Sequence, residues 1–398
     1  MNSKIIAIIA VVVVAIAGAA TAIILMQPKE TVSYDASAFN IVSRVNSEGS
    51  GLYVKNTIAD TSGAMPVRIS NGVPFFGEGY TYTEANKEAW GGLIFGDPGN
   101  QSIQHVQLAT IASGVGLKFA QYKEGQDTSN DTLYYVTNLN NYGVIIADTN
   151  IQGGIVWEPQ FEKVIQESPN YTKLALTNDV FKGHACCIIA ANHDWLGNNS
   201  GEMVKFLAGY IKAVDFINTA KANTSSPEYA ELRDIAIAAT GGVLTSSEVD
   251  ESLKTITYLY ADDAEGSLGD LTKNVADLAD GLNDLGLITS KKFSSGEKVA
   301  KALVDDKYLK DTIAGKAKKG ETSTVKVAVI QGDIHQLAIH VAKEKGYFDE
   351  YGLTVSLSTG GSGGDIVTLL TSKDVQIGFL GAPPATLKTI NSDCIVVG

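Results

Sequence analysis

The chain has 398 residues, 44% of them hydrophobic and 19% charged, with a formal net charge of −13. That composition suits globular lobes with real cores, and the acidic balance argues against a nucleic-acid backbone as partner. A small anionic ligand stays open, because it responds to local backbone donors more than to net charge. Three cysteines are too few for a disulfide framework. Cys186 and Cys187 are adjacent, where a bridge would be strained, and read as small buried hydrophobes on a strand.

Residues 5–26 are apolar apart from Gly18 and Thr21. As a helix this run spans roughly 33 Å, enough to cross a bilayer. The reading is an uncleaved membrane anchor with everything after Gln27 outside the cytoplasm. A signal peptide cleaved near Ala19–Ala22, giving a secreted or periplasmic protein, is the alternative. Asn-x-Ser/Thr triplets at Asn100, Asn130, Asn170, Asn198 and Asn223 fit an exported chain. Residues 27–38 are a polar tether.

Ile41–Val45 reads as a strand that runs into the turn-rich Asn46–Gly51 and then Leu52–Val54. Exposed main-chain N–H groups in such a loop could hold an anion, or the loop is a plain turn. Residues 61–89 read as a long surface loop, a lid or irregular packing. A strand then enters the turn around Pro98, and Ser102 opens an amphipathic helix carrying Ile103, Val106, Leu108 and Ile111. Leu117–Tyr122, Gly143–Ala147 and Gly154–Val156 read as strands. The last delivers Trp157 and Glu158 into a Pro159 turn, at the strand end where open α/β sheets bind ligands; a core Trp beside a solvated Glu is the plainer account. Lys173–Thr177 and Cys186–Ala191 follow as apolar strands, and the pattern from Asp194 to Thr289 is helical. Lys316–Thr324 is a lysine-rich linker.

From Val325 a strand, helix, strand, glycine loop, helix and strand succeed one another without a break. Gly360–Gly364 permits close backbone approach to a ligand, but no Gly-Lys-Ser/Thr follows to make a P-loop. His335 and His340 lie five apart and present no metal pair on one face, and His184 and His193 have no ligand-spaced partner. No metal, no cofactor and no catalytic constellation is expected.

His335-Gln336-Leu337-Ala338, Lys345-Gly346-Tyr347-Phe348, Tyr351–Val355 and Ile377–Pro384 together resemble the start of the mature domain in nitrate/sulfonate/bicarbonate-type (NMT1-like) solute-binding proteins of ABC transporters. Asn46–Gly51, Trp157-Glu158-Pro159 and Asp194-Trp195-Leu196 resemble later parts of that family. The order departs from it: the Gly-Tyr-Phe unit comes last here, and the strand that should follow its Pro-Pro helix comes first. A circular permutation, with Lys316–Thr324 joining the usual termini, explains this; a truncated tandem repeat is the other explanation.

The resemblance implies an α/β fold of the type II periplasmic-binding-protein kind, two doubly wound lobes with a hinge and an interlobe cleft. Residues 1–38 would be anchor and tether, and 39–398 the solute-binding domain. One lobe would combine 39–60, about 172–260 and 325–398, the other about 88–156, with a helical segment at 261–315. Carried over residue by residue, the ligand contacts would be Gln331, His335, Ser362, Gly381, Ala382, Asn46, Ser50, Ser102, Trp157 and Glu158. The implied partners are a small-molecule ligand, anionic and nitrate-, sulfonate- or bicarbonate-like, an ABC permease with its ATPase, and the membrane through the N-terminal helix. A pyrimidine-making enzyme on the same fold, with His335 as its reactive group, and an anchored sensor without transport are the alternatives.

Overall fold

The computed structural model describes residues 38–59, 84–181, 183–289 and 293–392, and the short strands Val32–Ser33, Val67–Arg68, Tyr80–Thr81 and Ile395–Val396. The expected anchor at 5–26, most of loop 61–89, Cys394 and Val397 lie outside the described residues. Among the described residues no helix is long and apolar enough to cross a membrane.

In chain order the strands are β1 (Phe39–Arg44), β2 (Asn46–Glu48), β3 (Ser50–Lys55), β4 (Ile94–Gly96), β5 (Lys118–Gln121), β6 (Thr132–Val136), β7 (Gly153–Trp157), β8 (Tyr171–Leu176), β9 (Cys187–Asn192), β10 (Ile256–Tyr258), β11 (Ser323–Ile330), β12 (Leu353–Gly360) and β13 (Ile377–Gly381). The helices that matter for the site are α1 (Ile103–Gly114), α2 (Gln160–Glu167), α3 (Ser200–Ala222), α4 (Ser246–Thr255), α5 (Leu337–Glu344), α6 (Gly363–Thr371) and α7 (Ala382–Ser392).

Two sheets organise these elements. The first has the order β12-β11-β13-β9-β1, the second β8-β3-β7-β4-β6-β5. In the first, β11 pairs parallel with β12 and β13, while β9 runs antiparallel to both β13 and β1. In the second, β7, β4, β6 and β5 pair parallel, and β3 lies antiparallel between β7 and β8. Each sheet thus carries one reversed strand, and each reversed strand follows a passage of the chain from the other sheet. The chain passes from β2 to β3 at Gly49 and returns between β8 and β9. Helices cover the sheets, so β9, β11 and β13 bury apolar residues on both faces, as parallel-type strands must. α3 lies over the first sheet, with Phe206 stacked on Phe348 at 5.1 Å and Tyr210 edge-on to Phe379 at 5.6 Å. This is a two-lobed, doubly wound α/β fold, the architecture that the resemblance implies.

The sheet pairing redraws the lobe boundaries expected from the sequence. β3 lies within 39–60 but pairs in the second sheet, and so does β8, which overlaps the start of the 172–260 stretch. The reason is the passage at Gly49: β2 is bound to β10 on the first-lobe side, and one residue later the chain has left it. Gly143–Ala147 forms a helix, Tyr142–Ala147, whose cap Asn141 accepts from Val144 N–H at 3.2 Å; the strand is β6, ten residues earlier. The segment 261–315 holds three helices, at Gly269–Asp284, Gly296–Leu303 and Lys307–Ile313.

Candidate functional site between the lobes

The C-terminal ends of the parallel strands in the two sheets face each other across a cavity of about 330 Å³. The second lobe contributes Pro98–Gln104, Thr137, Asn138 and Trp157; the first contributes Cys186, Cys187, Ile330, Asp333, His335, Ser362–Gly364, Gly381 and Pro384. Each group sits there because a strand ends beside it. Asp333 and His335 follow β11, Ser362 follows β12, Gly381 ends β13, the Pro98 turn follows β4, and Trp157 ends β7.

Two helices begin at this cavity. Ser102 caps α1, its Oγ accepting from His105 N–H at 3.1 Å. Ser362 caps α6, accepting from Asp365 N–H at 3.3 Å. Their first-turn N–H groups and dipoles favour an acceptor-rich or anionic group. Asp365 already takes the Gly361 N–H, at 3.0 Å, and the Ser362 hydroxyl, at 3.1 Å. α7 offers less than the sequence suggested, because Ala382 N–H donates to the Cys186 carbonyl at 3.0 Å.

Of the residues expected to touch a ligand, the structure brings His335, Ser362, Gly381, Ser102 and Trp157 to the cavity wall. The other five do not line it. Gln331 is exposed and joins β11 to β12 through its N–H to the Gly360 carbonyl at 2.9 Å. Ala382 is held by β9, as above. Asn46 is fully buried; its side chain accepts from Cys187 N–H at 3.1 Å and donates to the Glu48 carbonyl at 3.2 Å, pinning the interlobe passage to β9. Ser50 is buried under Gln104, which donates to its Oγ at 2.9 Å, and its carbonyl accepts from Thr177 at 3.0 Å.

Glu158 is also fully buried, behind the cavity rather than in its wall. It follows the second-lobe strand β7 and reaches into α4, lying 3.3 Å from Ser252 Oγ and 3.1 Å from Thr255 Oγ1. Both hydroxyl protons have closer acceptors, the Glu248 carbonyl at 2.7 Å and the Ser252 carbonyl at 3.0 Å. Hydrogen bonds that these hydroxyls donate to the carboxylate favour its ionised form. Burial, reinforced by the charge of Glu162, outweighs them and pushes the pKa up to about 8. A carboxyl neutral at neutral pH ties the two lobes together here. This disposes of the conflict that an ionised Glu158 would have with an anion.

The centre of the first-lobe wall is a cluster that sequence reasoning missed. His335 Nδ1 lies 3.7 Å from Cys186 Sγ and 3.4 Å from Asp333 Oδ1, and Cys186 Sγ is 4.0 Å from Cys187 Sγ. The two sulfurs and an imidazole nitrogen all fall within 4.8 Å of one another. His335 Nε2 is 2.6 Å from the Gly49 carbonyl, which can only accept, so Nε2 carries a proton. Burial alone would push His335 down; Cys186 and Asp333 outweigh it and raise the pKa to about 10. The Cys187 thiol, hydrogen-bonded to Cys186, together with His335, holds Cys186 well below the ordinary thiol range against the opposing effect of burial. Burial raises Asp333 to about 6. Asp333 could have been found in the sequence, since it follows the C-terminal end of a buried strand, the same rule that singled out Trp157. The juxtaposition of Cys186 with His335 could not, because 149 residues separate them.

Residues 334–393 match the family model described as NMT1/THI5 like. This is the segment whose motifs carry the resemblance read from the sequence. No curated protein matches. Among solved structures, the crystal structure of the periplasmic nitrate-binding protein NrtA from Synechocystis PCC 6803 is similar at 12% identity, covering 70% of this chain and 67% of that one with a TM-score of 0.45.

Proposed function

We propose that the protein is the extracytoplasmic solute-binding component of an ABC importer, capturing a small organic ligand between its lobes and delivering it to a permease and its ATPase. The observation that carries this is the interlobe cavity itself, walled by one aromatic ring and two helix N-termini and spanned by two chain passages that can hinge. Among the described residues the lining contains no Lys or Arg, and its one cation there, His335, already faces Cys186 and Asp333. A cavity of about 330 Å³ is also far larger than a four-atom anion needs and falls in the range of organic ligands. The reading therefore favours an organic solute with an acceptor-rich head at α1 and α6 and a flat body on Trp157, sulfonate-like rather than nitrate- or bicarbonate-like. Anchoring through 5–26 belongs to the same proposal.

A thermal-shift screen of the full chain with nitrate, bicarbonate, aryl sulfonates and pyrimidines tests it. Aryl sulfonates should raise Tm, and Trp157→Ala should weaken their binding about tenfold or more, the loss of one stacking contact of roughly 1–3 kcal/mol. A response to nitrate alone, unchanged in Trp157→Ala, sinks it. The Cys186–His335–Asp333 cluster favours a second reading, a pyrimidine-making enzyme on the same fold, which turnover of a bound pyrimidine would establish.

The same reading takes the chain as circularly permuted. β1 completes a sheet whose other parallel members lie beyond residue 322, and Val32–Ser33 pairs with Ile395–Val396. A chain re-cut to start at Ser323, with Ser392 joined to Ala38 by a short Gly/Ser linker and ending at Ile313, should fold as a monomer with unchanged circular dichroism. An insoluble or non-cooperative product would overturn the permutation.

A further inference from the structure

Cys186 packs at the edge of the core and has no part in the capture mechanism, yet it lies in the wall of the cleft. Its backbone is fixed on both sides. Its N–H donates to the Asn46 carbonyl at 3.3 Å, and its carbonyl accepts from Ala382 at 3.0 Å. Its sulfur is aimed at His335 Nδ1. Because Nε2 of that ring must donate to Gly49, Nδ1 is the ring's remaining position, and it faces two acceptors, the Asp333 carboxylate and the sulfur. A proton shared between Nδ1 and the sulfur is drawn to the nitrogen by the Asp333 carboxylate, and the ring in turn holds the Cys186 thiol below its ordinary range. Asp333 is itself held, accepting from His335 N–H at 2.9 Å and from Gln336 Nε2 at 3.2 Å. Cys187 stays a thiol, pushed up by its hydrogen bond to Cys186 and by burial. The other titratable groups facing the pair are His184 on the segment leading into β9, Glu158 just after β7 and Tyr258 on β10, with Arg44 on β1 behind His184. His184 is held low by burial and Glu158 is neutral, so neither reverses the polarisation.

We propose that Cys186 is a nucleophilic modification site within the cleft, which adds covalently to soft carbon electrophiles such as α,β-unsaturated carbonyl compounds. The sulfur lone pair forms the S–C bond at the β-carbon as the C=C π bond breaks. The electron pair moves to the α-carbon, which takes the proton from His335 Nδ1, and no oxidant, reductant or further reactant is needed. The inference stands on the cluster and the open space before it, and does not depend on which solute the cleft carries.

N-ethylmaleimide is the probe, applied to the folded full chain in a Cys394→Ala background and followed by intact mass and peptide mapping. One equivalent should attach to Cys186 at pH 6, with a rate changing less than about threefold between pH 6 and pH 8. An ordinary thiol of pKa about 8.5 gains nearly tenfold per pH unit over that range. His335→Asn should slow the reaction at pH 6 at least tenfold and restore the ordinary thiol profile. Labelling of Cys187 before Cys186, a tenfold rise per pH unit in the unsubstituted cluster, or no labelling of the folded protein overturns the proposal. The pH profile of the unsubstituted cluster decides the matter even if His335→Asn does not fold.

Discussion

Replacing Glu158 with glutamine is expected to flatten the fall of stability with rising pH. In the folded chain the Glu158 carboxyl holds its proton up to about pH 8, while in the unfolded chain it releases it near its ordinary value of 4.5. Between these values the unfolded state binds fewer protons than the folded one, so unfolding becomes easier as pH rises. Below the unfolded value both states are protonated and the group costs nothing; above the folded value the penalty is complete. Each unit between the two corresponds to about 1.4 kcal/mol, so the whole effect is a few kcal/mol. Glutamine stays neutral throughout and keeps an acceptor for the Glu162 N–H, which lies 3.1 Å from the carboxyl. Urea denaturation at pH 5, 6.5 and 8 should show Glu158→Gln gaining on the unsubstituted protein by at least 2 kcal/mol over that range, by the same linkage. Asp333 and His335 titrate in both proteins and largely cancel in the difference. Parallel curves would show that Glu158 is ionised in the fold, and with that the neutral tie between the lobes would fail.

Gly49→Ala should be among the most damaging single-methyl changes in the chain. Gly49 has φ +82°, in the left-handed region, directly after Glu48 at φ +69°. An added Cβ would stand 2.3 Å from His335 Nε2 and 2.7 Å from Ile256 Cγ1. Neither neighbour can withdraw cheaply: the imidazole is held between Gly49, Asp333 and Cys186, and Ile256 is buried in β10. The left-handed conformation costs a non-glycine residue roughly 1–2 kcal/mol, and overpacking typically adds 1–3. A loss of roughly 2–4 kcal/mol by urea denaturation is expected, together with a changed environment for His335. A loss below 1 kcal/mol would mean that the passage between the lobes is not fixed by this contact. The Gly49 carbonyl accepts from both His335 and Glu158, the latter N–H at 2.9 Å. One peptide therefore couples the first-lobe cluster to the second-lobe strand β7, and strain stored at such a passage is what a hinge uses.

The two expectations meet at a site that was only partly visible in the sequence. The rule that ligands gather at the C-terminal ends of parallel strands pointed to Trp157, the glycine content pointed to the loop before α6, and both line the cavity. The strand-end rule pointed equally to Glu158, one residue further on, which turns away from the cavity into α4. Which side of a strand end a residue takes depends on what packs against it, and α4 lies about 90 residues away in sequence. Cys186 and Cys187 were legible as buried strand residues, and they are buried. That one of them is also a cleft residue with altered chemistry depends on β9 lying antiparallel beside β13.

Hydrophobic periodicity and turn chemistry by themselves determined the α/β class, the run of elements from Val325 to Asn391 and the helical stretch after Asp194, because these are set by contacts a few residues apart. The family motifs also lie within single supersecondary units, which is why a short segment carries the match. The tertiary structure alone decided which lobe owns β3 and β8, which strand ends open into the cleft, and the directions in which Glu158, Cys186 and His335 are shifted. Sheet membership is settled by pairings across more than a hundred residues, and a pKa by burial and neighbours that no local pattern encodes.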